Sequence, residues 1–150
     1  LLRYLGYRDG LKTIIKDSNK FIKSPWHLGN VTEFTVEQVA VDEVKCRIIT
    51  GGKPQICEVG ESPHYLTLAG ENDCYDDYLK RYQGVLLKDD HTLKKFTKLA
   101  NNFEYLSSGH ENDYILVQKD SHGYIVCDGL HRLAILKSLK VEKLLVAILK

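Results

Sequence analysis

Residues 113–149 read DYILVQKDSHGYIVCDGLHRLAILKSLKVEKLLVAIL, and the punctuation of this stretch sets the architecture. DYILVQ is a run of branched apolar residues of strand length, KDSHG is a polar turn closed by a glycine, and YIVCDG predicts a second strand. LHRLAILKSLK then has the length and composition of a helix, and KLLVAIL predicts a closing strand. Two strands joined by a tight turn, followed by a helix and one more strand, predict an α+β core rather than a doubly wound sheet.

Upstream of this stretch, residues 92–106 predict the most regular helix of the middle region. Leu93, Phe96, Leu99, Ala100, Phe103 and Leu106 lie on one side, and Lys94, Lys95 and Lys98 form a solvated face on the other. NDCYDDYLKRYQG places Tyr75, Tyr78, Leu79 and Tyr82 on one helical face, read as a core stripe rather than a stacking platform, with Gly84 as its stop. Before it, GESPHYLTLAG is a loop running into a short helix, and Ser62-Pro63 sets His64 and Tyr65 at the junction. VTEFTV and VAVDEVKCRII, between Val31 and Ile49, alternate apolar and polar side chains as strands do, and Gln55 to Val59 predicts a further short strand. The first thirty residues carry an excess of Lys and Arg over Asp, with Leu11, Ile14 and Ile15 at helical spacing. They predict a helical extension preceding a domain over 31–150.

Composition bounds the function. The chain has 150 residues, 43% hydrophobic and 27% charged, with 21 Lys plus Arg against 20 Asp plus Glu and a net charge of +1. That is one domain of ordinary globular composition, able to bury roughly 70% of its unfolded surface without staples. Balanced charge argues against nonspecific nucleic-acid binding, which shows as a domain pI above about 9. No apolar run approaches the ~20 residues of a membrane span, and no signal peptide opens the chain, so a soluble, cytoplasmic protein is expected. The absence of Met and the start Leu-Leu-Arg suggest a domain of something longer. Cys46, Cys57, Cys74 and Cys127 make no CxxC pair, so free, mostly buried thiols are expected rather than zinc or disulfides. His27, His91, His110 and His122 show no metal-ligand spacing and receive no role.

The chemistry concentrates in YIVCDGLHRLA, residues 124–134. A strand ends at Asp128, Gly129 permits a sharp turn, and a helix starts near Leu130 with His131 and Arg132 in its first turn. Helix N-termini present unpaired N–H groups and the positive end of the dipole, and Gly129 allows an anion to approach the backbone. Cationic side chains at that end are otherwise disfavoured by about 0.3–1 kcal/mol each. An anion such as a polyphosphate would account for Arg132, whose planar fork suits phosphate oxygens, while Asp128 could hold magnesium or accept a proton. The plainer alternative makes Asp128 an N-cap, Arg132 its surface partner and His131 a packing residue. In the second cluster, Glu61-Ser-Pro-His-Tyr65, His64 could meet a phosphate or hydroxyl, with Arg81 contributing charge. Lys119, in the turn before the motif, is read as solvated.

These residues carry a family resemblance. YIVCDGLHRLAILKSLKV resembles the signature of the ParB/sulfiredoxin-like superfamily, in which a Gly-x-His-Arg or Gly-x-Arg-Arg motif at a helix start, after a hairpin, binds nucleotide phosphates. DYILVQKDSHG resembles the hairpin leading into it, and VEQVAVDEVKCR is weakly similar to the opening strand. Sulfiredoxins place a cysteine directly before the motif His, where this chain has Leu130. Chromosome-partitioning members carry a DNA-reading helix-turn-helix after the domain, for which the 150 residues leave no room.

The resemblance therefore points to the superfamily's small-molecule kinases, such as the free-serine kinases with an Asp-Gly-x-His-Arg motif. It implies an ATP-dependent phosphotransferase acting on a small hydroxyl-bearing acceptor, using ATP or another nucleoside triphosphate and Mg2+. Gly129, His131, Arg132 and His64 would hold phosphates, Asp128 the metal or acceptor hydroxyl, and Asp128, His131 and Glu43 would form the catalytic set. Glu43, with Glu58 second, is the candidate general base from the early strand region. The competing expectations are a nucleotide-binding switch or DNA-associated adaptor using the same motif, and an inactive scaffold domain.

Overall fold

The hairpin expected before the motif forms as strands β4 (Ile115–Asp120) and β5 (Gly123–Asp128), antiparallel, with Ser121 and His122 in the turn. Gly123 occupies the left-handed region at φ 101°, and Asp120 Oδ1 accepts the His122 N–H at 2.7 Å, which closes the turn locally. This computed structural model describes residues 34–71, 73–83, 91–103 and 114–150. The extension expected over residues 1–30 lies outside the described residues.

The remaining strands are β1 (Phe34–Ala40), β2 (Val44–Thr50), β3 (Lys53–Glu58) and β6 (Lys143–Leu149). Among the described residues they complete one mixed sheet of six strands in the order β1-β6-β4-β5-β2-β3. β6 lies parallel to β4, β2 lies parallel to β5 with Val44 opposite Tyr124, and β1 and β3 pair antiparallel at the two edges. Among the described residues four α-helices accompany the sheet: α1 (Pro63–Leu68), α2 (Asp73–Tyr82), α3 (Leu93–Asn101) and α4 (Leu130–Ser138). The α+β architecture agrees with the expectation. Among the described residues no helix is long and apolar enough to cross a membrane.

The alternation of apolar residues explains how the layers stack. Leu144, Val146 and Ile148 of β6 join Val117, Val126 and the α4 residues Leu133, Ala134 and Leu136 in the main core. Ala147 and Leu149 turn to the other face of the sheet, with Leu116 and Cys127. α4 is apolar around most of its circumference, so Ile135 remains to meet Tyr75, Leu79 and Phe96 from α2 and α3. That second contact fastens α2 and α3 over the first turns of α4. The tyrosine stripe is core, as expected, with Tyr75, Tyr78, Leu79 and Tyr82 all buried.

α3 starts where the sequence implied, since Thr92 Oγ1 accepts the Lys95 N–H at 3.1 Å. It stops earlier than the residue pattern suggested. Asn102 donates its side-chain amide to the Lys98 carbonyl at 2.9 Å and closes the helix after Asn101, and Leu99, expected on the apolar side, is 40% exposed. Residue 106 lies outside the described residues.

Candidate functional site

The turn from β5 into α4 is shaped before any side chain acts. β4 and β5 pair Val117 with Val126 but Leu116 with Asp128, so Cys127 is an extra residue on β5 directly before the motif. Such a bulge bends its strand and re-aims the residues beyond it. Gly129 then takes φ 108° and is itself the residue preceding the helix, with no side chain capping α4. Asp128 is therefore not the N-cap that the plainer sequence reading required.

A methyl group on Gly129 would stand 3.0 Å from both Arg132 Nη2 and Ile115 Cγ1. Glycine is needed here twice over, for its backbone conformation and for the side chains pressed against it. Arg132 folds back across this glycine with its side chain only 15% exposed. Its Nη2 stands 3.8 Å from Asp128 Oδ2, a loose contact with a carboxylate whose own side chain is 66% exposed. A largely buried guanidinium thus lies over the uncapped start of a nine-residue helix, where the helix dipole also favours an anion.

His131 turns toward the helical layer. Its Nε2 is 2.7 Å from the Tyr75 hydroxyl. The His91 ring stacks on it at 4.6 Å and 25°, and His64 and Phe96 meet it edge-on at 4.6 and 5.1 Å. When Tyr75 donates to Nε2, the proton of a neutral His131 resides on Nδ1 and that nitrogen becomes a donor.

His64 is placed by its helix start. Ser62 Oγ donates to the Val59 carbonyl at 2.6 Å and accepts the Tyr65 N–H at 3.2 Å, and Pro63 opens α1. His64 is 5% exposed, and its Nδ1 has no hydrogen-bond partner. Burial, reinforced by His131 and His91, pushes its pKa well below the usual histidine range, so the ring is neutral. An unpaired buried polar atom costs about 1–3 kcal/mol, which a ligand group bonded to it would recover.

The structure therefore brings Asp128, Gly129, His131, Arg132 and His64 to one end of the sheet. It does not bring Glu43 there. Val44 pairs with Tyr124 at the start of β5, and the Glu43 carbonyl lies 3.9 Å from where a Cβ on Gly123 would be. Glu43 is separated from Asp128 by most of β5, about 16 Å at ~3.3 Å per residue. Glu58 stands at the same far end, 3.7 Å from Lys45, and Lys119 lies over the Tyr124 ring. Glu43 and Glu58 are thus removed from the motif by the parallel pairing of β2 with β5, which aligns the start of β2 with the start of β5.

Arg81 is exposed and lines a separate cleft of about 280 Å³ with Thr50, Cys74, Asp77 and Tyr78. Tyr78 divides this cleft from the histidines: its hydroxyl accepts the Ile49 N–H at 3.0 Å, and its ring lies 5.9 Å from His64. Tyr75, His91 and Phe96 were not among the sequence candidates. The helical spacing of Tyr75 marked it as core, but nothing local marks a partner 56 residues away. Among the described residues no three His, Cys, Asp or Glu side chains gather to hold a metal by themselves. Comparison with family models, with curated proteins and with solved structures finds no match for the chain.

Proposed function

We propose that the chain binds the phosphates of ATP or another nucleoside triphosphate at Asp128–Arg132 and transfers a phosphoryl group to a small hydroxyl-bearing acceptor. The observation that carries this reading is the uncapped start of α4, with Gly129 in the left-handed region and Arg132 folded over it. The resemblance of residues 113–149 to the ParB/sulfiredoxin-like superfamily, and to its small-molecule kinases in particular, supports the same reading.

In this reading phosphate oxygens take the α4 N–H groups and the Arg132 guanidinium, replacing the 3.8 Å contact with Asp128. Asp128, exposed and weakly engaged, fits the single carboxylate that commonly joins magnesium to a nucleotide. Magnesium, when bound, supplies neutralisation of phosphate charge. Of the carboxylates picked from the sequence, Asp128 alone stands at this end, so either role, magnesium ligand or acceptor of the hydroxyl proton, falls to it rather than to Glu43. Tyr75 fixes the orientation of His131, and the unpaired His64 Nδ1 offers a hydrogen bond to ligand.

A second reading, a nucleotide-binding switch or DNA-associated adaptor without phosphoryl transfer, is favoured by one observation: the expected general base, Glu43, stands at the far end of β5. Incubation with ATP, magnesium and a panel of amino acids and sugars separates the two. ADP with a phosphorylated acceptor supports the kinase; binding with at most slow hydrolysis supports the switch. Arg132→Ala is expected to weaken nucleotide binding about ten- to a hundredfold, the worth of a charge-assisted contact. Unchanged affinity in that variant would overturn both readings.

A further inference from the structure

Cys46 and Cys57 face each other across the β2–β3 ladder as direct partners. Their sulfurs are 3.4 Å apart, and the Cys46 thiol also lies 3.7 Å from the Cys57 carbonyl. Directly opposed residues in an antiparallel pair have Cα atoms about 4.5 or 5.5 Å apart, both within the span a disulfide bridges. The sulfurs must close by about 1.4 Å to reach a bonded distance near 2.05 Å, a side-chain adjustment that leaves the ladder in place. We infer that Cys46 and Cys57 form an oxidisable cross-strand dithiol, a modification site that a peroxide converts to a disulfide.

The two thiols have different roles. β3 is the last strand of the sheet, and Cys57 is its one half-buried residue among exposed neighbours, within reach of a small oxidant. Cys46 is fully buried in the main core. The hydrogen bond from Cys46 holds the Cys57 thiol below its usual pKa, while Cys46 itself is pushed up by that same bond and by burial. The first proton therefore leaves Cys57. The other two cysteines are poor nucleophiles: burial pushes Cys127 up to about 12, and burial together with the Glu71 carboxylate raises Cys74.

In the reaction the Cys57 thiolate attacks one peroxide oxygen and the O–O bond breaks, giving a sulfenic acid and hydroxide, which is protonated to water. The Cys46 sulfur then attacks the sulfenic sulfur. The S–S bond forms, the S–O bond breaks, and the departing hydroxide leaves as water with the Cys46 proton. Two thiols lose two electrons and one peroxide becomes two waters.

The test treats the reduced full chain with hydrogen peroxide at neutral pH, alkylates it under denaturing conditions and maps the cysteines by mass spectrometry. A single Cys46–Cys57 cross-link reversed by dithiothreitol is expected, with Cys57 consumed roughly tenfold or more faster than Cys74 or Cys127. Cys57→Ser, on an edge strand tolerant of the change, should leave Cys46 reduced, and Cys46→Ala should leave a Cys57 sulfenic acid trapped by dimedone. Wild-type Cys57 passing to sulfinic acid with Cys46 still alkylated, or all four cysteines oxidising at one rate, would overturn the inference. Wild type and Cys57→Ser suffice to decide it if Cys46→Ala does not fold.

Discussion

Strand β5 connects two ends of the sheet that are both rich in polar residues and differ in how water treats them. At its start stand Glu43, Lys119 and the Lys45–Glu58 pair, all at least partly solvated. At its end stand Gly129, the largely buried Arg132, His131 against Tyr75, and His64 with a buried, unpaired nitrogen. Solvated ion pairs contribute about 0–1 kcal/mol and call for no functional explanation. A buried polar atom without a partner, beside an uncapped helix start, does call for one. Burial, rather than charge, separates the candidate site from ordinary surface.

The contrast between the ends is open to attack by substitution. The largest effect is expected at Gly129→Ala, which puts an L-residue at φ 108° with a methyl 3.0 Å from Ile115 and Arg132. A loss of roughly 2–4 kcal/mol in denaturant unfolding is expected, together with loss of nucleotide binding. A neutral result would mean that the turn is not held as described.

Tyr75→Phe removes only the hydroxyl on His131 Nε2. It should cost about 1–2 kcal/mol and shift the His131 imidazole resonances in NMR, and unchanged resonances would refute the Tyr75–His131 bond.

His64 gives the acid response of the motif end. Its folded pKa lies below the unfolded value near 6.5, so the unfolded state binds the extra proton. The contribution is fully present above about 6.5 and is lost as pH falls from there toward the folded pKa. The slope is at most one proton, about 1.4 kcal/mol per pH unit. His64→Leu should flatten this limb of a stability–pH curve, and an unaltered limb would exclude His64 as its source. The smallest effect is expected at the other end of β5: Glu43→Gln should change stability by less than about 0.5 kcal/mol and leave nucleotide affinity and any turnover as they were. A large loss of turnover there would break the contrast and restore Glu43 as general base.

The elements were legible because their signals are local. The hairpin, the helix after Gly129 and the strand after it come from periodicity and turn residues within residues 113–149, and Ser62-Pro63 marked the start of α1 correctly. Part of the site was legible for the same reason, since Asp128, Gly129 and Arg132 lie within five residues of one another. The cage around His131 was not, because His64, Tyr75, His91 and Phe96 reach it from three other segments. No spacing rule connects them; the packing of Ile135 against Tyr75 and Phe96 does.

Read alone, the chain specifies which residues make strands, turns and helices, and that a flexible glycine separates β5 from a helix bearing Arg132 in its first turn. Backbone propensity and side-chain periodicity act over a few residues, and that is their reach. The closed fold adds that β2 runs parallel to β5, which carries Glu43 away from the motif, while the antiparallel pairing of β2 with β3 sets Cys46 against Cys57 at the sheet edge. Strand order and register are fixed by burial shared among distant segments. Which polar groups end up together, and which of them lose their water, is settled only when the whole core closes.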